Sequence, residues 1–357
     1  MPPLPPELVT DILLCLPVTS LLRFRCLSKS HCAEIDSPDF AKYHLNVSIQ
    51  SKTGQKLIIN NVDFMDQTDL YYAEFDGNLE DTYLLNNPLK SSRRGTSVCA
   101  SCNGLFLLGI FVKDQNMDFA LWNPFTKRYK KLPPCPVRKS NGDDVCSQVW
   151  VFSLNSNSWR RIQDVKDELT SRSRVGLYAN GALYWENEDK CVGFDITYEV
   201  FFDLALLSDF GPTVIYHDFM VVFGGNLYSP VIRNEPNSIE YYLLVSDSGG
   251  EVAGGSWRKE FILEEERNIL FNRALPLAYS KKEDSILVNR GNVIYWYNFE
   301  NQKRTWVEIL GIPDVPTYNF HVCWESLVSP GNDSAFDGRA EEVIIEDSED
   351  NLEADSD

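Results

Sequence analysis

Histidine is scarce in this chain, with only four in 357 residues, at positions 31, 44, 217 and 321. They are scattered rather than set at metal-ligand spacing. Also missing are a nucleophile elbow, a phosphate-binding glycine loop, an HExxH pair and a dinucleotide fingerprint. No catalytic, cofactor-binding or metal-ligating residue is therefore assigned, and the chain is expected not to be an enzyme. No apolar run approaches the length that spans a bilayer. Met1-Pro2-Pro3 opens without a basic segment or a long apolar one, so no secretory leader is expected. Basic residues are in deficit, 33 Lys and Arg against 52 Asp and Glu, a net charge of −19. That balance argues against unassisted binding to nucleic acid or to an anionic membrane.

Cysteine is present but odd in number: nine, at 15, 26, 32, 99, 102, 135, 146, 191 and 323, several inside apolar stretches. Free thiols in a reducing compartment follow, hence a cytoplasmic or nuclear location. Cys99 and Cys102 are the one close pair. Without a second pair or nearby histidines they read as buried structural thiols. Hydrophobic residues make up 43% and aromatics 12%, enough for a sizeable core and better suited to sheets than to helices. From Asp337 to Asp357 ten acidic residues face one Arg, so this tail holds about half of the net charge and is expected to be disordered.

The first 45 residues read as helix. Pro5 and Pro6 suit a first helical turn, and Leu8, Ile12, Leu13 and Leu16 then recur at helical spacing. Pro17 stops that helix. Val18, Leu21 and Leu22 begin a second apolar face beside Arg23 and Arg25, and Ser37-Pro38-Asp39 caps a further helix from Phe40 to Leu45. The unit carries more Leu than it can hide. Burying one such side chain is worth about 1.5–3 kcal/mol, so the surplus needs a partner, either the rest of the chain or another protein. Predicted boundaries are a helical unit at 1–45, a strand-rich body at 46–330 and the acidic tail at 331–357.

Leu4-Pro5, Leu8, Ile12-Leu13, Leu16-Pro17 and Leu21-Leu22-Arg23-Phe24-Arg25-Cys26-Leu27-Ser28-Lys29, closed by Asp36-Ser37-Pro38-Asp39-Phe40, closely resemble the F-box of plant F-box proteins. The resemblance implies docking onto a Skp-type adaptor and, through it, a cullin. It implies adaptor-binding roles for Leu4, Pro5, Leu8, Ile12, Leu13, Leu16, Pro17, Leu21 and Leu22. One position departs, His31 standing where the family usually has Trp.

After Val47, short apolar alternations are broken by Asn-Gly, Gly-Asn and Asp-rich turns. One unit recurs: an apolar strand, a polar turn, then a strand led by a bulky residue. Copies run over 119–132, 149–162, 192–202 and 293–309, with a looser one from Tyr241 to Lys259. Asn103-Gly104, Asn180-Gly181 and Gly225-Asn226 lead into further strands. Four-strand units at about 40–50 residues are the pattern of propeller blades. Asn123, Ser153, Asp195 and Asn298 hold matching places, at steps of 30, 42 and 103 residues. The first step is too short for a full blade, and 133–144 contains almost no strand formers. The predicted fold class is α+β, mainly β: a small N-terminal helical unit, then a β-propeller-like body with one blade truncated, lacking its inner strands.

Ser101-Cys102-Asn103-Gly104-Leu105, Leu121-Trp122-Asn123-Pro124, Lys130-Lys131-Leu132-Pro133, Ser156-Asn157-Ser158-Trp159-Arg160, Asn180-Gly181-Ala182-Leu183, Tyr318 and Glu325-Ser326-Leu327-Val328-Ser329-Pro330 resemble the F-box-associated domain found beside plant F-boxes. Of the family's Gly-Phe-Gly-Tyr-Asp to Asp-Asp-Tyr-Lys-Val-Val stretch only Asp143-Asp144-Val145 survives, where the short step lies. The resemblance implies the substrate-recognition subunit of a Skp–cullin–F-box ubiquitin ligase. It implies targets such as immune receptors, signalling regulators or secreted-ribonuclease-type proteins, without choosing among them. An F-box scaffold outside ubiquitination and a ligand-binding propeller stay open as alternatives. The basic clusters Lys90–Arg94 and Lys127–Lys131 read as solvated loop edges, and Tyr71-Tyr72 and Tyr295-Trp296-Tyr297 mostly as core.

Overall fold

The computed structural model describes residues 4–61, 69–75, 79, 81–89, 96–111, 117–136, 148–162, 176–186, 190–207, 214–217, 220–233, 237–246, 255–264, 274–291, 293–313 and 318–331. Four helices come first: α1 (Pro6–Leu14), α2 (Val18–Phe24), α3 (Lys29–Ile35) and α4 (Pro38–Ser51). Proline sets both early starts, Pro6 inside the first turn of α1 and Pro17 just before α2. Ser28 and Ser37 cap α3 and α4, accepting from the backbone N–H of His31 at 3.1 Å and Phe40 at 3.2 Å. Helix α4 runs past the predicted end at Leu45. Its buried stripe of Phe40, Ala41, His44, Leu45 and Ser48 continues through Asn46-Val47-Ser48, and Lys52 stops it in the left-handed conformation.

The body is a ring of sheets. The first holds β1 (Gln55–Asn61), β2 (Leu70–Glu74) and β3 (Thr82–Leu85), the second β4 (Thr96–Cys102), β5 (Leu105–Phe111), β6 (Met117–Asn123) and β7 (Arg128–Lys131). Strands β8 (Trp150–Ser153) and β9 (Ser158–Arg161) pair only with each other. A four-stranded sheet follows, of β10 (Leu177–Ala179), β11 (Ala182–Glu186), β12 (Cys191–Asp195) and β13 (Val200–Leu204). The next holds β14 (Val214–His217), β15 (Val221–Phe223), β16 (Asn226–Arg233), β17 (Ser238–Val245) and β18 (Ser256–Glu264), with β14 and β15 both paired to β16. The last full sheet is β19 (Ala274–Tyr279), β20 (Ser285–Arg290), β21 (Val293–Asn298) and β22 (Arg304–Val307). Finally β23 (Tyr318–Trp324) returns to the first sheet and pairs with β1, Gln55 opposite Trp324 and Asn61 opposite Tyr318. Strands β10, β15, β19 and β23 neighbour one another in turn, so the leading strand of each sheet faces the middle, and the β1–β23 pairing closes the ring. Closure removes a long exposed sheet edge.

The repeat read from sequence corresponds to one turn geometry. Asn123, Ser153, Asp195 and Asn298 each end a third-position strand, and each side-chain oxygen accepts backbone N–H groups two or three residues on. Four residues after each stands a residue at positive φ: Lys127, Asn157, Glu199 and Gln302. Asn103-Gly104, Asn180-Gly181 and Gly224-Gly225 have positive φ at both positions, the two-residue hairpin turn that matches strand twist. The bulky residue leading the fourth strand ties sheets together: Trp159 donates to Pro133 O at 2.8 Å, and Trp257 to Ala205 O at 2.9 Å.

Apolar clusters fill the spaces between neighbouring sheets. One joins the first and second sheets through Ile58, Leu70, Phe106 and Trp122, and others join the first to the last, and the β10–β13 and β19–β22 sheets to the five-stranded one. Tyr71, Tyr295 and Tyr297 are core, as read. The blade with β8 and β9 is the truncated one, with no inner strands among the described residues. Segment 137–147, most of the cluster at 90–94 and the tail from 332 lie outside the described residues. Lys130 differs from its reading as loop edge, since it is buried on β7.

Candidate functional site

The leucines of the helical unit divide into two sets. Leu13, Leu14, Val18, Leu21, Ile35, Phe40 and Ala41 are buried in one cluster together with Leu327, which follows the last strand of the ring. Leu4, Leu8 and Ile12 are 59%, 50% and 52% exposed. They recur every four residues, so they form one line along α1 and its approach. Pro5 and Pro17 are exposed, and Leu16 and Leu22 half-buried. Of the residues read as adaptor-binding, Leu13 and Leu21 are therefore corrected: they hold the helices to the ring and face no partner. Phe24 and Leu27 are exposed as well. Sequence reasoning left them out because they follow a Leu pair that already supplied an apolar face.

The seat of the helices is built by residues far apart in sequence. Asn123, fully buried, donates through Nδ2 to Ser326 O at 2.8 Å and Val328 O at 2.9 Å. Ser326 Oγ donates to Asn103 O at 2.8 Å. Gly104, at φ +77°, leaves no space for a Cβ, which would collide with Ser326. So the Asn-Gly turn and the Trp-Asn-Pro turn both grip the segment after β23. That segment reaches the helices: Glu325 Oε1 accepts the Val18 N–H at 3.2 Å, and Leu327 enters their core. His44 Nε2 donates to Leu16 O at 2.8 Å.

Charge completes the seat. Lys56 on β1, almost fully buried, lies 2.8 Å from Glu74 and 3.7 Å from Glu325. Burial would pull the Lys56 pKa down, but the Glu74 hydrogen bond and the charge of Glu325 outweigh it and hold it above the ordinary value. Asp36, after α3, sits between Arg25 at 2.6 Å and Arg128 of the ring at 3.8 Å, and Lys52 pairs with Glu283. A cavity of about 370 Å³ remains between helices and ring, walled by Leu14, Leu16, Pro17, Tyr72 and Phe125. His31, in the usual Trp position, turns its ring onto Ser28, Nδ1 to Oγ 2.6 Å.

Among the described residues no group of three or more His, Cys, Asp or Glu is placed to hold a metal, and no helix is long and apolar enough to cross a membrane. Cys102 is corrected from buried to exposed, at the strand end before the Asn-Gly turn, and Cys99 is only partly buried. The buried thiols are Cys191, pushed up to about 12 by burial, and Cys323.

These features agree with known proteins. An F-box domain model matches residues 2–43, and a model of the F-box associated beta propeller domain matches residues 122–327. The sheet topology carries that ring back to Gln55. F-box protein CPR1 of Arabidopsis thaliana is 27% identical over 92% of this chain and 89% of that protein. Another Arabidopsis thaliana F-box protein is 24% identical over 84% and 85%. Among solved structures, a putative 6-phosphogluconolactonase from Bacteroides uniformis aligns with 75% of this chain and 100% of that one at 9% identity and a TM-score of 0.39. An exposed leucine line on a helical unit, clamped to a closed ring by the ring's own last segment, is thus the arrangement of an F-box seated on its associated domain, and the chain belongs to the F-box associated beta propeller family.

Proposed function

We propose that this chain is the target-recognition subunit of a Skp–cullin–F-box ubiquitin ligase. The helical unit binds a Skp-type adaptor through Leu4, Pro5, Leu8 and Ile12, and the ring holds a target protein. The observation that carries this reading is the exposed line of large apolar side chains on α1, in a unit whose other leucines are already buried. Covering each such side chain is worth about 1.5–3 kcal/mol to a complex. The chain itself makes and breaks no bond; it raises the effective concentration of target beside the ubiquitin-conjugating enzyme. The seat at Glu325, Lys56 and Asn123 fixes how the two binding surfaces face each other.

The test is made in plant cells by comparing the intact chain with Leu8→Asp/Ile12→Asp, using proximity labelling and protein turnover. Proteins labelled by both forms but turned over only with the intact chain are the expected result. Labelled proteins whose turnover is the same with both forms contradict the reading.

A further inference from the structure

Five sheets of the ring have four or five strands, and one has two. The shared turn geometry identifies the two that are present. Ser153 ends β8 as Asn123 ends β6, Asp195 ends β12 and Asn298 ends β21, so β8 and β9 are third and fourth strands. The vacant place beside β8 is that of a second strand. There β5, β11 and β20 pair antiparallel with their own third strands.

The walls of that place bear the mark of the vacancy. In the β10–β13 sheet, Leu177, Ala179, Ala182 and Tyr184 pack toward the five-stranded sheet. Alternation turns Tyr178, Leu183 and Trp185 the other way, toward β8. On that same face Val192 and Phe194, on the outer strand β12, are only 7% and 5% exposed, while Tyr178 on the innermost strand is 51% exposed. The hairpin of β8 and β9 thus covers the outer half of the face and leaves the inner half open. Across the gap Leu105 and Leu107 of β5 are half-buried, facing away from the cluster that holds Phe106 and Leu108. No apolar cluster among the described residues joins these two walls.

The edge itself is unpaired. Ile162 N–H bonds Val149 O at 3.0 Å, so by antiparallel alternation Val151 and Ser153 also spend their backbone groups on β9. Trp150 and Phe152 turn N–H and C=O to the vacant side, and the Trp150 indole Nε1 is buried without a hydrogen-bond partner. An unpaired edge between apolar walls is a template for one more strand.

We propose that the free edge of β8 is a strand-acceptor site, which takes an extended segment of a partner protein as the missing second strand of this blade. The segment runs antiparallel to β8, bonds the main chain at Trp150 and Phe152, and places apolar side chains against Tyr178, Leu183 and Leu107. Its sequence alternates apolar and polar residues and carries no proline at the bonding positions. The assignment rests on the target-recognition role, because it says where the ring grips its target.

The experiment uses the full chain bound to adaptor and a displayed library of random linear peptides. Amide exchange is followed first in the absence of peptide. Fast exchange at Trp150 and Phe152 beside slow exchange at Val151 is expected. Slow exchange at all three means that the chain's own residues already fill the place, and overturns the proposal. Selected peptides are expected to alternate in polarity and to slow exchange at Trp150 and Phe152. They should also bind at least tenfold more weakly to Phe152→Pro than to Phe152→Ala, which loses the same side chain but keeps the N–H. Peptides that leave those two amides unchanged, or bind both variants equally, overturn it, as does failure to select any. Adaptor binding is measured separately on the same samples, so a chain that takes peptides without adaptor contradicts the receptor role and leaves the acceptor site standing.

Discussion

Leu327 belongs to the ring by sequence and to the helical unit by packing. It follows β23, yet it is buried among Leu13, Leu14, Val18, Leu21, Ile35 and Phe40. Replacing it with Ala removes most of a buried side chain and leaves a cavity at the joint, which costs about 2–5 kcal/mol. A loss near the middle of that range, at about 1.4 kcal/mol per factor of ten, opens the helical unit roughly a hundredfold more often. The assay is amide exchange by mass spectrometry. Peptides of α1, α2 and α4 should exchange about a hundredfold faster. Peptides of β20 and β21, which make no contact with Leu327, should keep their wild-type rates. Unchanged exchange in the helices would refute the reasoning, because it would mean that the unit holds itself together without the ring. An equal acceleration everywhere would refute it too, since the helices would then have no opening of their own.

Asn123→Ala should destabilise the chain well beyond Asn298→Ala, although both residues cap the same repeated turn. Asn123 also satisfies two carbonyls of the closing segment, and each buried group left unpaired costs roughly 1–3 kcal/mol; urea unfolding of the two variants makes the comparison. Gly104→Ala should destabilise by several kcal/mol, because it combines a positive φ with a collision against Ser326, and should lower the melting temperature more than Gly225→Ala, where a Cβ meets open space. Burial holds the His321 pKa below its ordinary value of 6.5. The folded chain therefore binds fewer protons there than the unfolded one. Its stability contribution is whole above that value and falls as pH drops below it. Urea midpoints at about pH 7.5 and about pH 5.5 should differ less for His321→Gln than for wild type.

Much of this architecture was legible in the sequence for local reasons. Proline and serine set the helix starts, and the position shared by Asn123, Ser153, Asp195 and Asn298 fixed the turns without reference to anything distant. The short step to Ser153 located the blade with too few strands. What could not be read depends on contacts across the chain. Leu8 and Leu13 lie on adjacent stripes of one short helix, and both stripes are apolar. Which stripe turns inward is decided by Leu327, some three hundred residues away. Helix α4 outran its predicted end because part of its inner face is polar: His44 and Ser48 are buried on it, so the apolar spacing fades before the helix does. Cys102 looked like core because it sits in a strand, but the strand runs out at the turn beside it. The doubling of β14 and β15 on one partner strand has no signal in the spacing of the repeat.

The central claim is that the leucine line on α1 is the contact surface for another protein while the neighbouring stripe is not. It is tested most directly by measuring the affinity of the full chain for a Skp-type adaptor in three forms: wild type, Leu8→Asp/Ile12→Asp, and Leu13→Met. Tight binding by wild type, loss of about a hundredfold or more in the double variant and near wild-type affinity for Leu13→Met are the predicted results. Wild-type affinity in the double variant would contradict the account.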